Sequence, residues 1–412
     1  MADIAPVPAS TPVVDEVAGL ARLAGALVDQ LTIPVRDTHR AVADRVFRAV
    51  GPSATPVRLA HDAVAGAVYA SVRGGSRLLG AGAGTAIAAV NGFRPRRSVS
   101  ATPLGATGLA FASGLLGDWL EGRADDLVVP TTVTHHGRPV SLEGDVPLGV
   151  DAPTDRVVVF VHGLAETTYS WAWWSTAEDG THVPTYGERL ADVGWTPLEV
   201  GYNTGRPVAD SGTDLAELLD RVVATWPVPV AEVALVGHSM GGLVISAAAH
   251  RGLTSGHAWV PRTSHVVTLG TPHTGSWLAK GAAGAVRALE RLPETRGLGG
   301  IIDLRSAGIR DLTHGWRPEP DPEAPDDEIE ALAALLPHAR HAYVAATLGS
   351  ERHALSRLLG DGLVHLTSST APGSAGGPNI AVRHHPNVGH IRLVHHQAVA
   401  DDLVDWLEPR GR

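Results

Sequence analysis

Apolar residues recur at three- and four-residue spacing from about residue 15 to residue 125, which is the pattern of amphipathic helices. Pro34 is expected to end the first helix and Gly51-Pro52 the second, because proline interrupts helical hydrogen bonding. Gly80 and Gly84 lie one turn apart, a spacing that suits close helix packing. The pattern therefore predicts a helical module over 15–125, preceded by a flexible Pro/Ala-rich tail over 1–14. The predicted helices cover residues 17–31, 42–50, 59–72, 78–90 and 110–121.

Beyond residue 125 the pattern changes to short apolar runs that alternate with helical segments. Two runs, at 127–134 and 139–142, flank a turn sequence and predict a β-hairpin. Several later runs are unbroken stretches of Val, Leu and Phe, as in strands buried on both faces. We therefore predict an α/β fold, a mostly parallel sheet covered by helices, for a second domain at 126–412. The predicted parallel strands cover residues 157–161, 197–202, 234–236, 265–269, 342–347 and 379–382.

About seventy residues separate the predicted strands at 265–269 and 342–347, many more than a crossover connection requires. This length predicts a lid-like insertion over about 276–335. Helices within 277–307 are expected to roof a pocket, and the acidic loop at 318–328 is expected to remain in solvent. The alternative is that the insertion and the helical module only cover apolar surface.

Composition excludes several classes of protein. The chain has 33 basic and 43 acidic residues and a formal net charge of −10, which argues against nucleic acid as a partner. It has no cysteine, so disulfides, thiolate metal sites and a cysteine nucleophile are excluded. The most apolar stretch, 78–90, is shorter than the roughly 20 residues that a membrane-spanning helix needs. We expect a soluble cytoplasmic protein, with peripheral membrane contact through the helical module left open.

The most informative segment is Gly237-His238-Ser239-Met240-Gly241, directly after one predicted strand and directly before a helix. A G-x-S-x-G pentapeptide alone arises by chance, but this context is typical of a nucleophile elbow. The two glycines permit a tight, strained turn that lifts the serine hydroxyl to the carboxyl end of the sheet. We predict Ser239 as a nucleophile.

An earlier strand ends in His162-Gly163-Leu164. In a hydrolase built on such an elbow, the loop after that strand donates one backbone N–H to an oxyanion hole, and the residue after the nucleophile donates the other. The expected donors are Leu164 and Met240. We interpret His162 as a structural residue that holds the loop by a hydrogen bond.

The acid of a Ser–acid–His triad is expected between the nucleophile and the base in the chain. Asp361 lies beyond the strand at 342–347, and flanking glycines would let its carboxylate turn toward an imidazole. Gly-Asp-Gly is also common turn chemistry, so Glu351 and Asp303 are kept as alternative acids.

The best candidate for the base is His390, which follows the last predicted strand and a glycine. An imidazole there would take the serine proton, and the acid would hold its tautomer. A metal site built from neighbouring histidines is disfavoured, because no carboxylates stand at ligand spacing. We predict neither a metal nor a cofactor. The competing histidines are His384, His385, His395 and His396.

Residues 157–396 resemble the α/β-hydrolase superfamily and, within it, lipases and esterases related to the GPI-inositol-deacylase branch. The resemblance implies hydrolysis of a small-molecule or lipid ester with an apolar acyl group. Tryptophans after the oxyanion loop would line an acyl pocket, with ordinary packing as the alternative. The residues proposed to contact substrate are Trp171, Trp174, His238 and His273. The matching segments are His162 to Leu164, Tyr202 to Gly205, Gly237 to Gly242, Leu269 to Ser276, Gly360 to Gly362 and Gly389-His390.

Two other interpretations remain open at this point. The same triad would also serve an acyltransferase or a thioesterase. A non-catalytic binding or scaffold protein with the hydrolase fold belongs to another class. Convergence of Ser239, Asp361 and His390 in space separates the enzymes from the scaffold, because a decayed enzyme usually loses one of the three.

Overall fold

The computed structural model describes residues 16–91, 107–111, 113–114, 129–142, 149–276, 306–316, 336–349, 360–369 and 379–408. The helical module begins with two long helices, α1 (Glu16–Val50) and α2 (Thr55–Asn91), joined by the 3-10 turn Pro52–Ala54. Two expectations for this segment are wrong. Pro34 does not end a helix but lies inside α1, and the expected break between residues 72 and 78 is absent.

Contacts between α1 and α2 explain why both helices continue. The buried carboxylate of Asp29 accepts hydrogen bonds from Arg73 and Arg77, each at 2.6 Å, in the turns just before Pro34. A Cβ added to Gly80 would lie 3.0 Å from the Cα of Gly25, so the backbones touch there, as expected for Gly80. Tertiary packing thus outweighs the local cost of a proline within a helix.

The second part of the chain forms an eight-stranded sheet. Its strands are β1 (Thr132–His135), β2 (Arg138–Val140), β3 (Arg156–Val161), β4 (Thr196–Gly201), β5 (Glu232–His238), β6 (Thr263–Leu269), β7 (Arg340–Thr347) and β8 (Ile380–Pro386). They are arranged in the order β2-β1-β4-β3-β5-β6-β7-β8. Strands β3 to β8 pair in parallel, and the predicted hairpin β1–β2 joins the sheet edge antiparallel to β4. The predicted fold class, a mostly parallel sheet with helices and an N-terminal helical module, is confirmed.

Helices cover both faces of this sheet. They are α3 (Tyr186–Asp192), α4 (Val208–Thr225), α5 (Met240–Ser255), α6 (Ala307–Asp311), α7 (Leu366–Ser369) and α8 (Gln397–Leu407). Alternation along β3 shows how the faces are divided. Val157 and Val159 face the apolar cluster that contains α4 and α5, whereas Val158 and Phe160 face the cluster that contains α3 and α8. All four side chains are buried, which accounts for the unbroken apolar run in this strand.

Several expectations lie outside the described residues. They are the tail at 1–14, most of the helix at 110–121, the acidic loop at 318–328 and nearly all of the lid helices within 277–307. Of the expected insertion, the described part includes α6, where the Ser306 hydroxyl donates to the carbonyl of Gly114 at 2.5 Å. The domain boundaries remain predictions. None of the described helices is both long and apolar enough to cross a bilayer.

A buried acid on β4 leads to the first prediction. Burial raises the pKa of Glu199 to about 7, although the Thr134 hydroxyl and the backbone N–H groups of Gly137 and His136 partly oppose this. Because the pKa of this carboxyl is raised in the folded state, the free energy of unfolding falls as pH rises from about 4.5 through 7. At pH 8 the cost is roughly 3 kcal/mol.

Glu199→Gln should remove this pH-dependent cost. Urea unfolding at pH 5 and pH 8 should therefore show the variant gaining stability relative to the parent as pH rises. Glu217→Gln, at an exposed position of α4, is the control and should track the parent at both pH values. Parallel curves for Glu199→Gln and the parent would show that the Glu199 carboxyl does not titrate in this range.

Candidate active site

The turn between β5 and α5 has the strained geometry of an elbow. Ser239 has φ 52° and ψ −123°, a backbone conformation that non-glycine residues rarely adopt. Neighbouring backbone atoms leave no room for a side chain at the glycines two residues before and two residues after Ser239. A Cβ at Gly237 would lie 2.6 Å from the Gly242 nitrogen, and one at Gly241 would lie 2.1 Å from the Val161 carbonyl oxygen. The G-x-S-x-G spacing is therefore a steric requirement here.

The structure brings together Ser239, Asp361 and His390. His390 Nε2 lies 2.8 Å from Ser239 Oγ, and His390 Nδ1 lies 2.7 Å from Asp361 Oδ2. All three residues are buried, with Ser239 the most exposed at 9%. They come from the carboxyl ends of β5, β7 and β8, which meet at one edge of the parallel sheet. An imidazole so placed can take the hydroxyl proton while the carboxylate holds its other nitrogen.

Asp361 is fixed as an anion by its turn. Its Oδ1 accepts the backbone N–H groups of Leu363 at 3.0 Å and Val364 at 2.8 Å, which leaves Oδ2 for His390. Burial raises the pKa of Asp361, but the interaction with His390 and these hydrogen bonds outweigh burial and lower it overall. Gly360 has φ +59° and Gly362 has φ +105°, so the glycines form the predicted turn. Asp361 therefore forms the turn and also contacts His390, so the two interpretations of Gly-Asp-Gly are compatible.

The segment after β6 packs against the acid and the base. Gly270 has φ +60°, and a Cβ there would lie 3.1 Å from Asp361 Oδ2 and 3.2 Å from His390 Nδ1. A side chain on Gly270 would press on the pair. The N–H of Gly270 donates to the Val344 carbonyl at 2.8 Å, which holds the segment to β7.

The loop after β3 closely approaches the nucleophile. A Cβ at Gly163 would lie 2.9 Å from Ser239 Cβ, so only glycine fits. The N–H of Gly163 donates to Glu166 Oε2 at 2.9 Å. His162 holds the loop as expected, since its Nδ1 donates to the Gly163 carbonyl at 2.9 Å and its ring stacks on Tyr202.

Two backbone N–H groups near Ser239 have no acceptor among the described residues. In the loop after β3, the Ala165 N–H donates to Thr204 Oγ1 at 3.1 Å. Among the described residues, the N–H groups of Leu164 and Met240 have no acceptor. Met240 also begins α5, whose amino terminus favours negative charge. These are the two donors that the sequence predicts for an oxyanion.

Two of the four predicted substrate contacts, Trp171 and His238, are corrected because their side chains are buried, and His273 stays a prediction. Trp171 is in the apolar core against Phe160, so the packing alternative is right at this position. His238 has no exposed surface. His273 is partly buried, bonded through Nε2 to Thr268 Oγ1 at 3.2 Å, and burial lowers its pKa to about 4. Trp171 and His238 do lie close to the site, since the Trp171 ring contacts that of His238 and the His238 ring contacts that of His390, but the sequence does not reveal the direction of their side chains.

Exposed apolar side chains lie at or against the residues next to His390. Trp174 is 43% exposed, and the guanidinium of Arg392 lies 4.6 Å from its ring centroid. Ile391 is also exposed, directly after His390. Leu348 is exposed and lies 3.5 Å from the Cβ position of Gly389. Trp174 is the most exposed of the four predicted substrate residues.

Glu166 belongs to the site but is not predicted from the sequence. Its side chain is buried and contacts both Gly163 and His238. The signal available in the sequence is a single acidic residue in the loop after β3, three positions after Gly163. Its partner lies 72 residues away, and spacing cannot predict that contact.

No alternative candidate with a described position joins the Ser239 cluster. Glu351 and Asp303 fall outside the described residues. Within the described ranges, no group of three or more His, Cys, Asp or Glu side chains is arranged to hold a metal ion. His385 bonds to Asp402 at 2.9 Å, and His384 contacts Thr347 Oγ1 at 3.0 Å. Neither histidine enters the Ser239 cluster.

The strand order, the elbow after β5 and the positions of Asp361 and His390 after β7 and β8 together define an α/β-hydrolase fold.

No known family profile matches the chain, and no curated protein sequence matches it. Solved structures with detectable likeness include the mature lipase BlEst2 of Bacillus licheniformis, at 17% identity and TM-score 0.40, covering 68% of this chain and 98% of that one. Carboxylesterase CesB of Bacillus subtilis is 15% identical with TM-score 0.34, and the match covers 67% of this chain and 87% of that one. A thermophilic esterase of Thermogutta terrifontis is 14% identical with TM-score 0.37, and the match covers 68% of this chain and 94% of that one.

Proposed function

We propose that the protein hydrolyses carboxylic esters with an apolar acyl group, with Ser239 as nucleophile, His390 as base and Asp361 as acid. The observation that carries the proposal is the position of His390, which lies within hydrogen-bond distance of both other side chains. A scaffold protein has no need for this arrangement, and the strained elbow would be a cost without benefit.

The reaction follows from the contacts. Ser239 Oγ attacks the ester carbonyl while its proton passes to His390 Nε2, and Asp361 stabilises the resulting imidazolium. The N–H groups of Leu164 and Met240 bind the oxyanion. His390 then gives the proton to the leaving alcohol, which departs. Water, activated by His390, cleaves the acyl-enzyme and regenerates Ser239.

The apolar surroundings of His390 support an apolar acyl group. Trp174, Leu348 and Ile391 are exposed beside the site, and apolar side chains bind acyl chains better than polar groups. The finer resemblance to the GPI-inositol-deacylase branch stays a prediction, based on Gly270 to Ser276.

A chain-length series of p-nitrophenyl esters tests this function. We expect turnover to rise from acetate toward longer acyl chains, and a fluorophosphonate probe to label the protein stoichiometrically. Adding a primary alcohol, or replacing the esters with thioesters, measures the competing transferase and thioesterase reactions. Absence of both labelling and turnover would overturn the proposal.

We also propose that α1 and α2 bind the surface of an anionic lipid aggregate. Nine valines on these helices are each at least 44% exposed, at seven- and four-residue spacings that place them on one stripe of each helix. Residues 16–91 hold eight arginines and five acidic residues, a net +3 in a chain of net −10. The valines are Val28, Val35, Val42, Val46, Val50, Val57, Val64, Val68 and Val72.

A groove of about 400 Å³ between the helices is a second feature of this module. Arg36, Arg40, Arg73 and Arg77 line it, with Arg73 and Arg77 bound to Asp29, and guanidinium groups suit phosphate-bearing headgroups. Buried apolar area and attraction to anionic lipid together set the strength of peripheral binding. Such binding would bring the esterase to a lipid ester.

Substituting the valines tests the lipid surface. The triple variant Val35→Ser, Val42→Ser, Val64→Ser should bind vesicles of phosphatidylglycerol at least about tenfold more weakly in co-sedimentation. The matched control replaces exposed alanines of the same helices, Ala49→Ser, Ala60→Ser and Ala67→Ser, and should bind like the parent. Equal binding of the valine variant and the parent would contradict the proposal.

A further inference from the structure

A second buried histidine lies behind the triad, at the position just before the nucleophile. His238 has no exposed surface, and its ring centroid lies 4.9 Å from that of His390. Its Nδ1 lies 2.9 Å from Glu166 Oε1, and its Nε2 lies 3.1 Å from the backbone carbonyl oxygen of His390. A carboxylate and a carbonyl can only accept hydrogen bonds, so both ring nitrogens of His238 donate and the ring carries a positive charge.

The electrostatics agree with a charged pair. Burial raises the pKa of Glu166, but the charge and the hydrogen bond of His238 outweigh burial and lower it to about 2. Burial lowers the pKa of His238, and Glu166 more than compensates, so the pKa is raised overall. The other ionisable groups that act on this pair are His162 and Asp361. Glu166 is the nearest anion to His238.

The pair joins three segments that the reaction needs. Glu166 Oε2 also accepts the N–H of Gly163 at 2.9 Å, in the loop that approaches Ser239. The chain of hydrogen bonds therefore runs from the loop after β3, through the residue before the nucleophile, to the backbone of the base. It also occupies the N–H of Gly163, whereas the N–H of Leu164 has no acceptor among the described residues.

We propose that Glu166 and His238 are positioning residues, which hold the His390 backbone and the oxyanion loop in the geometry that the reaction requires. The proposal rests on the proposed esterase function. Neither side chain touches the reacting atoms in this arrangement. Each acts through a backbone group of another residue, the carbonyl of His390 at one end and the N–H of Gly163 at the other.

Two substitutions break the chain of hydrogen bonds. His238→Phe keeps an aromatic ring but removes both hydrogen bonds, and Glu166→Ala removes the two bonds to the carboxylate. Each should lower the rate constant of fluorophosphonate labelling about 10–100-fold, the loss that follows removal of the partners that orient metal-ligating histidines. Glu166→Gln can still accept from Gly163 and donate to a neutral His238, so it should recover most of the rate that Glu166→Ala loses.

A control separates positioning from stability. His341 is another buried histidine, bonded through Nε2 to the Leu336 carbonyl at 2.8 Å. It lies near the amino end of β7, whereas the Ser239 cluster lies at the carboxyl ends of the strands. His341→Phe should lower the melting temperature without changing the labelling rate of folded protein. Wild-type labelling rates in both His238→Phe and Glu166→Ala would overturn the proposal.

A second measurement is independent of esterase activity. The Nδ1 proton of His390, hydrogen-bonded to Asp361, should give a far-downfield proton NMR signal in the parent and in His341→Phe. Loss of this signal in His238→Phe supports positioning, and its persistence at the parent's shift and exchange rate contradicts it. A parent that shows the signal but is never labelled would refute the esterase function while leaving the positioning of His390 testable.

Discussion

Replacing Ser239 with alanine is expected to abolish both ester hydrolysis and fluorophosphonate labelling while leaving the fold intact. The Ser239 hydroxyl lies 2.8 Å from His390 Nε2, and alanine fits the same strained backbone as serine. In enzymes of this mechanism, loss of the nucleophile lowers kcat by about 10⁶-fold. Intact-protein mass spectrometry and p-nitrophenyl ester turnover would measure the two losses.

Ser246 provides the matched control. It lies in α5, is buried, and donates its hydroxyl hydrogen bond to the Gly242 carbonyl at 3.0 Å. Ser246→Ala should label and turn over at close to the parent rate. If Ser239→Ala is labelled at full stoichiometry, Ser239 is not the nucleophile.

Replacing Asp361 with asparagine should lower kcat by about 10³–10⁴-fold. Asparagine Oδ1 would keep the hydrogen bonds from Leu363 and Val364, which turns the amide NH2 toward His390 Nδ1. The imidazole must then carry its proton on Nε2, facing Ser239, where it cannot accept the hydroxyl proton. The expected defect is therefore the wrong tautomer of the base.

A second Asp–His pair in the same chain tests whether the effect is specific. Asp402 contacts His385 at 2.9 Å, away from the Ser239 cluster. Asp402→Asn should leave kcat near the parent value, and His390→Ala should cost nearly as much as Ser239→Ala. Full activity in Asp361→Asn would transfer the acid role to Glu351 or Asp303.

The central part of the site is predictable from the sequence because the information there is local. The elbow requires glycine on both sides of Ser239, and the turn at Asp361 likewise requires flanking glycines, so each motif shows in a few neighbouring residues. The buried parallel strands are also predictable, since a continuous apolar run such as β3 is typical of a strand covered on both faces.

Contacts between distant segments account for the errors. The bond between Glu166 and His238 depends on how two loops pack, and no spacing rule contains it. Tryptophan is a residue type that suits an acyl pocket, but the Trp171 side chain packs against the ring of Phe160 in the core. The continuation of α1 through Pro34 depends on α2, where Arg73 and Arg77 bind Asp29. In each case tertiary packing outweighs a correct local preference.

The order in which the chain folds is constrained by one tyrosine. The hydroxyl of Tyr186, in α3, donates to the Leu393 carbonyl at 2.9 Å and accepts the N–H of His396 at 2.8 Å, across 207 and 210 residues of sequence. Closing a loop of this length is a late event, because non-local contacts form slowly. The elbow at Ser239 can therefore form first, and the segment that carries His390 docks against it later. On the proposed mechanism, a chain emerging from the ribosome would hold a serine without its base, and hydrolysis would begin only with the final closure.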